Sequence, residues 1–243
     1  MPEQLWITAL LNRYFSGPAN SVLNALGIHP AHATTPMNNT FAMELLVFLI
    51  LLTFFVVVRS RLKVEQPGGL QNVVEMLDEY ISEQAHEIIG HEYKGYVPYV
   101  MALGFFILLS NIIGLIPGFE SPTASPVVPL GLAATTFIYY HFHGIRHHGA
   151  HYIKQFLGPV WYLAPLMFVI GVISHFARIL SLTVRLYANM FAGELVTLAF
   201  FSLIPILVPV VFMALHLGVA LIQTYIFIVL TMVYLGGALS EEH

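Results

Sequence analysis

SLTVRLYANMFAGEL, residues 181–195, decides how this chain is read, because it sets Arg185 in the middle of apolar sequence of the kind that forms membrane-embedded helix. An arginine at the bilayer centre costs roughly 3 kcal/mol on insertion scales and roughly 10 or more in simulations of an isolated helix. The guanidinium cannot shed its proton to escape that cost. No acid stands at helical spacing on either side of it. A charge kept under those conditions is expected to serve a partner or an ion path.

Working outward, the surrounding chain is membrane sequence. Of its 243 residues 58% are hydrophobic and only 9% charged, with a mean hydropathy of +0.79, against about 25% charged in soluble domains. Apolar runs occur at Leu45 to Val58, Tyr96 to Ile116 and Ala124 to Phe142, with two longer stretches between Pro159 and Leu239. Their continuity points to helices and not to the short alternating segments of a β-barrel. The expected fold is an all-α integral membrane protein of about five crossings, the fourth polar enough to be missed by hydropathy. Residues 1–40 read as an outer N-terminal segment, with a short amphipathic helix and a Pro/Thr/Asn linker, and 41–243 as a single membrane domain.

Alternating the crossings puts Arg59, Arg61, Lys63, Lys94, Arg146 and Lys154 on one side and leaves Arg13 opposite. The positive-inside rule makes the six-charge side cytoplasmic, so the N-terminus is expected outside and the C-terminus inside. The start of the chain lacks a basic region and cleavage site of signal-peptide type, so insertion is expected to rely on the spans. With no cysteine in the chain, disulfides, thiolate metal sites and cysteine nucleophiles are excluded.

Two segments beside the spans need separate readings. Residues 70–91 place Val73, Val74, Leu77, Tyr80, Ile81, Gln84, Ala85 and Ile88 on one helical face and Glu75, Asp78, Glu79, Glu83 and Glu87 on the other. This predicts a cytoplasmic-side amphipathic helix lying at the interface, with docking to a basic partner helix as the alternative. The run His141, His143, Arg146, His147, His148 and His151 matches no defined ligand spacing and reads as a wet, weakly basic loop.

The polar residues of the last two spans form a pattern. His175, Arg178, Leu182, Arg185 and Asn189 follow one stripe at spacings of three and four, whereas Glu194, nine residues past Arg185, lies about 180° round the helix. His216 and Gln223 are seven apart and share a face of the next helix. In an antiparallel hairpin over about 170–239, facing position numbers sum to a constant. Arg185 with Gln223, Glu194 with His216 and His175 with Tyr234 give 408, 410 and 409, which suggests three facing polar pairs. Glu194 and His216 are titratable at membrane depth and are candidates for a proton relay.

These residues carry a resemblance. RLYANMFAGEL at 185–195, His216 followed by Gln223 in QTYIFIVLTMVYL, NIIGLIPGFESPT at 111–123 and the ending EEH resemble the subunit a family of bacterial F-type ATP synthases, the stator half of the proton channel. Ala188 and Ile179 depart from residues frequent in that family, glycine and proline, without touching a charged role. The resemblance implies proton translocation by Arg185, Glu194, His216, Gln223, Asn189 and His175. It also implies a ring of c subunits and b-type peripheral stalk subunits as partners, contact with the soluble ATPase sector only indirectly, and a place in the bacterial inner membrane. No catalytic residue, cofactor, metal or nucleic-acid partner is expected.

The mechanism it implies has an electrostatic basis. Glu44 and Glu194 are the acids at plausible membrane depth, so the moving carboxylate would come from the ring. That acid would be protonated facing lipid and ionised beside Arg185, with two offset half-channels feeding it from opposite sides. A stand-alone ion transporter and a Na+-coupled version of the same subunit are the alternatives. The chain shows no internal repeat of the transporter type and neither HExxH nor GxSxG for an intramembrane protease.

Overall fold

The computed structural model describes residues 4–25, 27, 34–63, 68–116, 118–149, 152, 161–203 and 207–239, and among these there is no strand. The described residues form seven α-helices in the order α1 (Trp6–Ala25), α2 (Asn39–Ser60), α3 (Gly69–Ile89), α4 (Val97–Ile113), α5 (Val127–His148), α6 (Ala164–Leu203) and α7 (Leu207–Leu239). The chain is thus the all-α membrane protein its composition calls for. Helices α2, α6 and α7 are each long and apolar enough to cross a bilayer. Helix α4 is apolar but has only 17 residues, about 26 Å at 1.5 Å per residue.

The weakly hydropathic crossing is therefore the third and not the fourth. Helix α5 runs through His141, His143, Arg146, His147 and His148 to its end, and these polar turns dilute its apolar start. They form helix, where the spacing suggested a loop; His151 lies outside the described residues. Helix α6 tolerates two arginines and a glutamate because its 40 residues hold enough apolar sequence around them.

Helix α7 is the centre of the bundle and packs against α3, α4, α5 and α6. Ile107 of α4, Leu186 and Met190 of α6, and Phe227 of α7 are fully buried together, with Ala133 of α5 beside them. Full burial of an apolar side chain of this size stabilises by about 1.5–3 kcal/mol relative to exposure in water, but exchange with lipid yields little of that. Close fit and the polar contacts below must therefore hold α6 on α7. Toward the C-terminal end of α7, Tyr140 and Leu235 form a second cluster with Tyr96, Tyr152 and Ala238.

Helix α3 departs from a helix lying free at the interface. Its C-terminal half is core: Ile81 and Ala85 are buried with Val97, Val100 and Met101 of α4 and Ile228 and Met232 of α7. Leu70, Val73, Met76 and Tyr80 in the first half stay exposed, as do Glu75, Asp78, Glu79, Glu83 and Glu87. The opposite end of the bundle is tied by amides. Asn12 of α1 donates to the Met37 carbonyl at 3.0 Å and accepts from the Met37 N–H at 3.1 Å, while Asn38 caps α2 by accepting from the Phe41 N–H. Between α4 and α5 a short turn carries Ser121 to Ala124 back over the end of α4.

Candidate functional site in the central hairpin

Helices α6 and α7 are apposed along most of their length, and three contacts define their register. The Arg178 guanidinium lies 4.9 Å over the Tyr234 ring. Asn189 donates through Nδ2 to Gln223 Oε1 at 2.9 Å. Phe200 stacks on Phe212 at 4.5 Å between centroids. All three pairs sum to 412, about one turn from the 408 of the expected Arg185–Gln223 pair. Asn189 therefore occupies the place expected for Arg185 against Gln223, and Arg178 the place expected for His175 against Tyr234.

Arg185 itself is half-buried, and its Nη2 donates to Ser181 Oγ at 3.1 Å, one turn back on the same helix. Its stripe neighbour Leu182 is 3% exposed and faces the core, so the stripe wraps from the bundle interior to its edge, where the guanidinium emerges. Arg178 lies over the Tyr234 ring and lines a cavity.

Glu194 and His216 are near each other but do not pair. The Glu194 carboxylate turns to the α4–α5 turn, where Oε1 accepts the backbone N–H of Ser121 at 2.7 Å. The close approach depends on Gly114, since a β-carbon there would stand 2.7 Å from Ser121 Cβ and 3.0 Å from Glu194 Oε1. The His216 imidazole lies on Gly193, where an added β-carbon would be 2.9 Å from both Nδ1 and Cε1. His216 is 5% exposed, and its Nε2 is buried with no hydrogen-bond partner among the described residues. Gly193 thus sits between the two titratable groups.

Behind Glu194 is a buried polar cluster whose members were not singled out individually in the sequence. Ser121 Oγ donates to the Ser110 carbonyl at 2.8 Å and lies 2.7 Å from Thr123 Oγ1. Thr123 donates to Asn111 Oδ1 at 2.6 Å. Asn111 reaches the Ala220 carbonyl, one turn past His216, at 3.5 Å. The available signal was four hydroxyl and amide side chains in or beside NIIGLIPGFESPT, where apolar residues would be cheaper at membrane depth.

Toward the other end of the hairpin, His175 Nδ1 is 2.8 Å from Tyr140 Oη, and its ring is 4.7 Å from that of His141. His175 and Tyr140 border a half-open cavity of about 510 Å³, lined also by Arg178, Ser174, Tyr152 and Tyr234. Tyr140 and His141 could have been found as the start of the histidine run, had α5 been continued through it. Among the described residues no group of three or more His, Cys, Asp or Glu is placed to hold a metal.

The class of protein is then an all-helical membrane protein whose central hairpin carries a fixed arginine between two separate polar regions. The family model for the ATP synthase A chain matches residues 40–236. "ATP synthase subunit a" of Koribacter versatilis is 55% identical over 244 residues, covering 100% of each chain. The protein of that name from Solibacter usitatus is 43% identical over 96% of this chain and 100% of its own. That from Geobacter sulfurreducens is 40% identical over 89% and 94%. The chain belongs to the ATP synthase A chain family. It is a non-catalytic component of the Fo sector in the bacterial inner membrane, which displaces the stand-alone transporter; the comparisons give the Na+-coupled alternative no support.

Proposed function

We propose that this chain is the proton-conducting stator subunit, passing H+ between two half-channels and the carboxylates of a c-subunit ring held against α6 and α7. The observation that carries this reading is the order of groups along α6. Glu194, with Ser121 and neighbouring His216, stands at one end, and the cavity with His175, Tyr140 and Arg178 stands at the other. Between them is Arg185, bonded to a neutral serine.

The outer half-channel takes Glu194 and His216 as proton carriers, with Asn111 and Thr123 beside them. The inner one opens through the 510 Å³ cavity. A ring carboxyl arriving from lipid is protonated; beside Arg185 its anion is favoured and the proton leaves to the inner cavity. The same cation opposes a proton hopping directly between the half-channels. Asn189 and Gln223 bind each other at 2.9 Å, which fixes α6 on α7 near the arginine without neutralising it. Each 100 mV across the membrane supplies about 2.3 kcal/mol per proton. In this arrangement the N-terminus is outside, the C-terminus cytoplasmic, and b-type stalk subunits keep the chain from turning with the ring; the soluble ATPase sector is met only through them.

Arg185→Ala tests the reading. ATP-driven proton pumping in inverted vesicles should be lost while the subunit still co-purifies with the proteolipid ring and ATPase sector. Normal coupled pumping by that variant, or ion transport by the isolated chain in liposomes, would overturn it.

A further inference from the structure

We propose that Thr123 is a positioning residue for proton transfer at Glu194, fixing through its hydroxyl the backbone N–H of Ser121 that donates to the Glu194 carboxylate. This rests on the reading of Glu194 as a proton carrier and assigns the part that aims it.

The donor is a main-chain group of a turn. Ser121 is extended, with φ −70° and ψ 123°, so no regular helix bond fixes where its N–H points. Its position is set by side chains instead. With Thr123 donating to Asn111 Oδ1 at 2.6 Å, the single Ser121 hydroxyl proton is shared between two acceptors, the Ser110 carbonyl at 2.8 Å and Thr123 Oγ1 at 2.7 Å. Thr123 is the link between the turn and α4's Asn111. Asn111 in turn touches the Ala220 carbonyl, so the clasp refers the turn to α7, the helix that carries His216.

Burial makes these contacts decisive. Ser110, Asn111 and Thr123 are 0% exposed and Ser121 3%, so bulk water does not stand in for a lost bond. The turn lies close on the end of α4: a β-carbon added at Gly114, the C-cap of that helix, would stand 2.7 Å from Ser121 Cβ. Removing the Thr123 hydroxyl without changing side-chain shape leaves Ser121 Oγ the Ser110 carbonyl alone and cuts the tie from the turn to Asn111, so the Ser121 N–H loses alignment while the backbone stays packed. The Glu194 carboxylate would then lose a donor aligned at 2.7 Å, and with it a fixed orientation for giving and taking protons.

The test uses the assembled complex in inverted vesicles, stripped of the soluble sector, with passive proton flux read against pH. Thr123→Val should lower flux about fivefold, the equivalent of one hydrogen bond's net contribution, and change the shape of the pH profile. Thr123→Ser should restore both rate and profile. In a Glu194→Gln background, Thr123→Val should lower flux no further, because it acts through the carboxylate. Should Thr123→Val not assemble, Ser121→Ala carries the same expectations. A wild-type pH profile in Thr123→Val, or an equal further loss on top of Glu194→Gln, would overturn the positioning role while leaving Glu194 in the path. Wild-type flux in Glu194→Gln alone would overturn both.

Discussion

Gly193→Ala adds one methyl group and should act on the hairpin out of proportion to its size. The new β-carbon would meet His216 Nδ1 and Cε1 at 2.9 Å and Cγ at 3.1 Å, where non-bonded carbon atoms rest at about 3.5–4.0 Å. The ring, or the helix carrying it, must retreat by roughly 0.6 Å or more. His216 is 5% exposed, so the ring has no open space to enter. Overpacking of this kind costs about 1–3 kcal/mol, which corresponds to roughly a fivefold to hundredfold shift against the closed α6–α7 packing. The assay is the yield of intact complex from detergent extracts, followed by proton flux of what assembles. Gly193→Ala should lower both. Adding His216→Ala should recover assembly to the level of His216→Ala alone, since the atoms that clash are gone, while flux stays low. Wild-type yield and flux in Gly193→Ala would refute the argument, as would a double variant that assembles worse than the two losses combined.

Three further expectations follow from the hairpin and its cavities. Because the chain has no cysteine, Leu182→Cys with Leu230→Cys, a pair summing to 412 and drawn from one packed cluster, should oxidise to a disulfide, while Leu182→Cys with Ile226→Cys, one turn away, should not; the reverse on a denaturing gel would discard the register. Gln223→Leu leaves Asn189 without its 2.9 Å acceptor and should destabilise the α6–α7 contact by about 1 kcal/mol, read as a lower thermal midpoint for complex dissociation; an unchanged midpoint would argue that this bond contributes nothing. Tyr140→Phe removes the hydroxyl 2.8 Å from His175 and should slow flux severalfold with normal assembly, and unchanged flux would take the Tyr140–His175 contact out of the inner path.

How far the sequence could be read depended on which force placed each group. The apolar runs and the Asn38 cap at α2 are local signals, and the helices follow from them. The polar spacing within α6 and α7 gave the hairpin, but position sums cannot tell which of two residues one turn apart makes the bond. Asn189, with a short amide side chain, suits Gln223 at close range; the long guanidinium of Arg185 is free to leave for the edge. Glu194 was legible as a buried acid but its partner was not, because the partner is a main-chain N–H of a turn more than seventy residues away. The histidine run misled for the opposite reason: its side chains look solvated, yet α5 carries His141 inward to meet His175.

Helix α6 has 40 residues, about 60 Å at 1.5 Å per residue, in a hydrocarbon layer about 30 Å thick. Large apolar side chains are exposed near both of its ends, among them Leu166, Phe168 and Ile170 at one and Leu195, Val196 and Leu198 at the other. From 166 to 198 the helix covers about 48 Å, more than that layer is thick, which an inclined helix accommodates. The sixteen residues between Arg178 and Glu194 span about 24 Å along the axis. In an inclined helix part of that distance runs along the plane of the membrane. A leaning helix thus converts sequence distance into lateral separation, and in the function proposed above a proton taken up near Glu194 would be released near Arg178 only after being carried across the plane of the membrane.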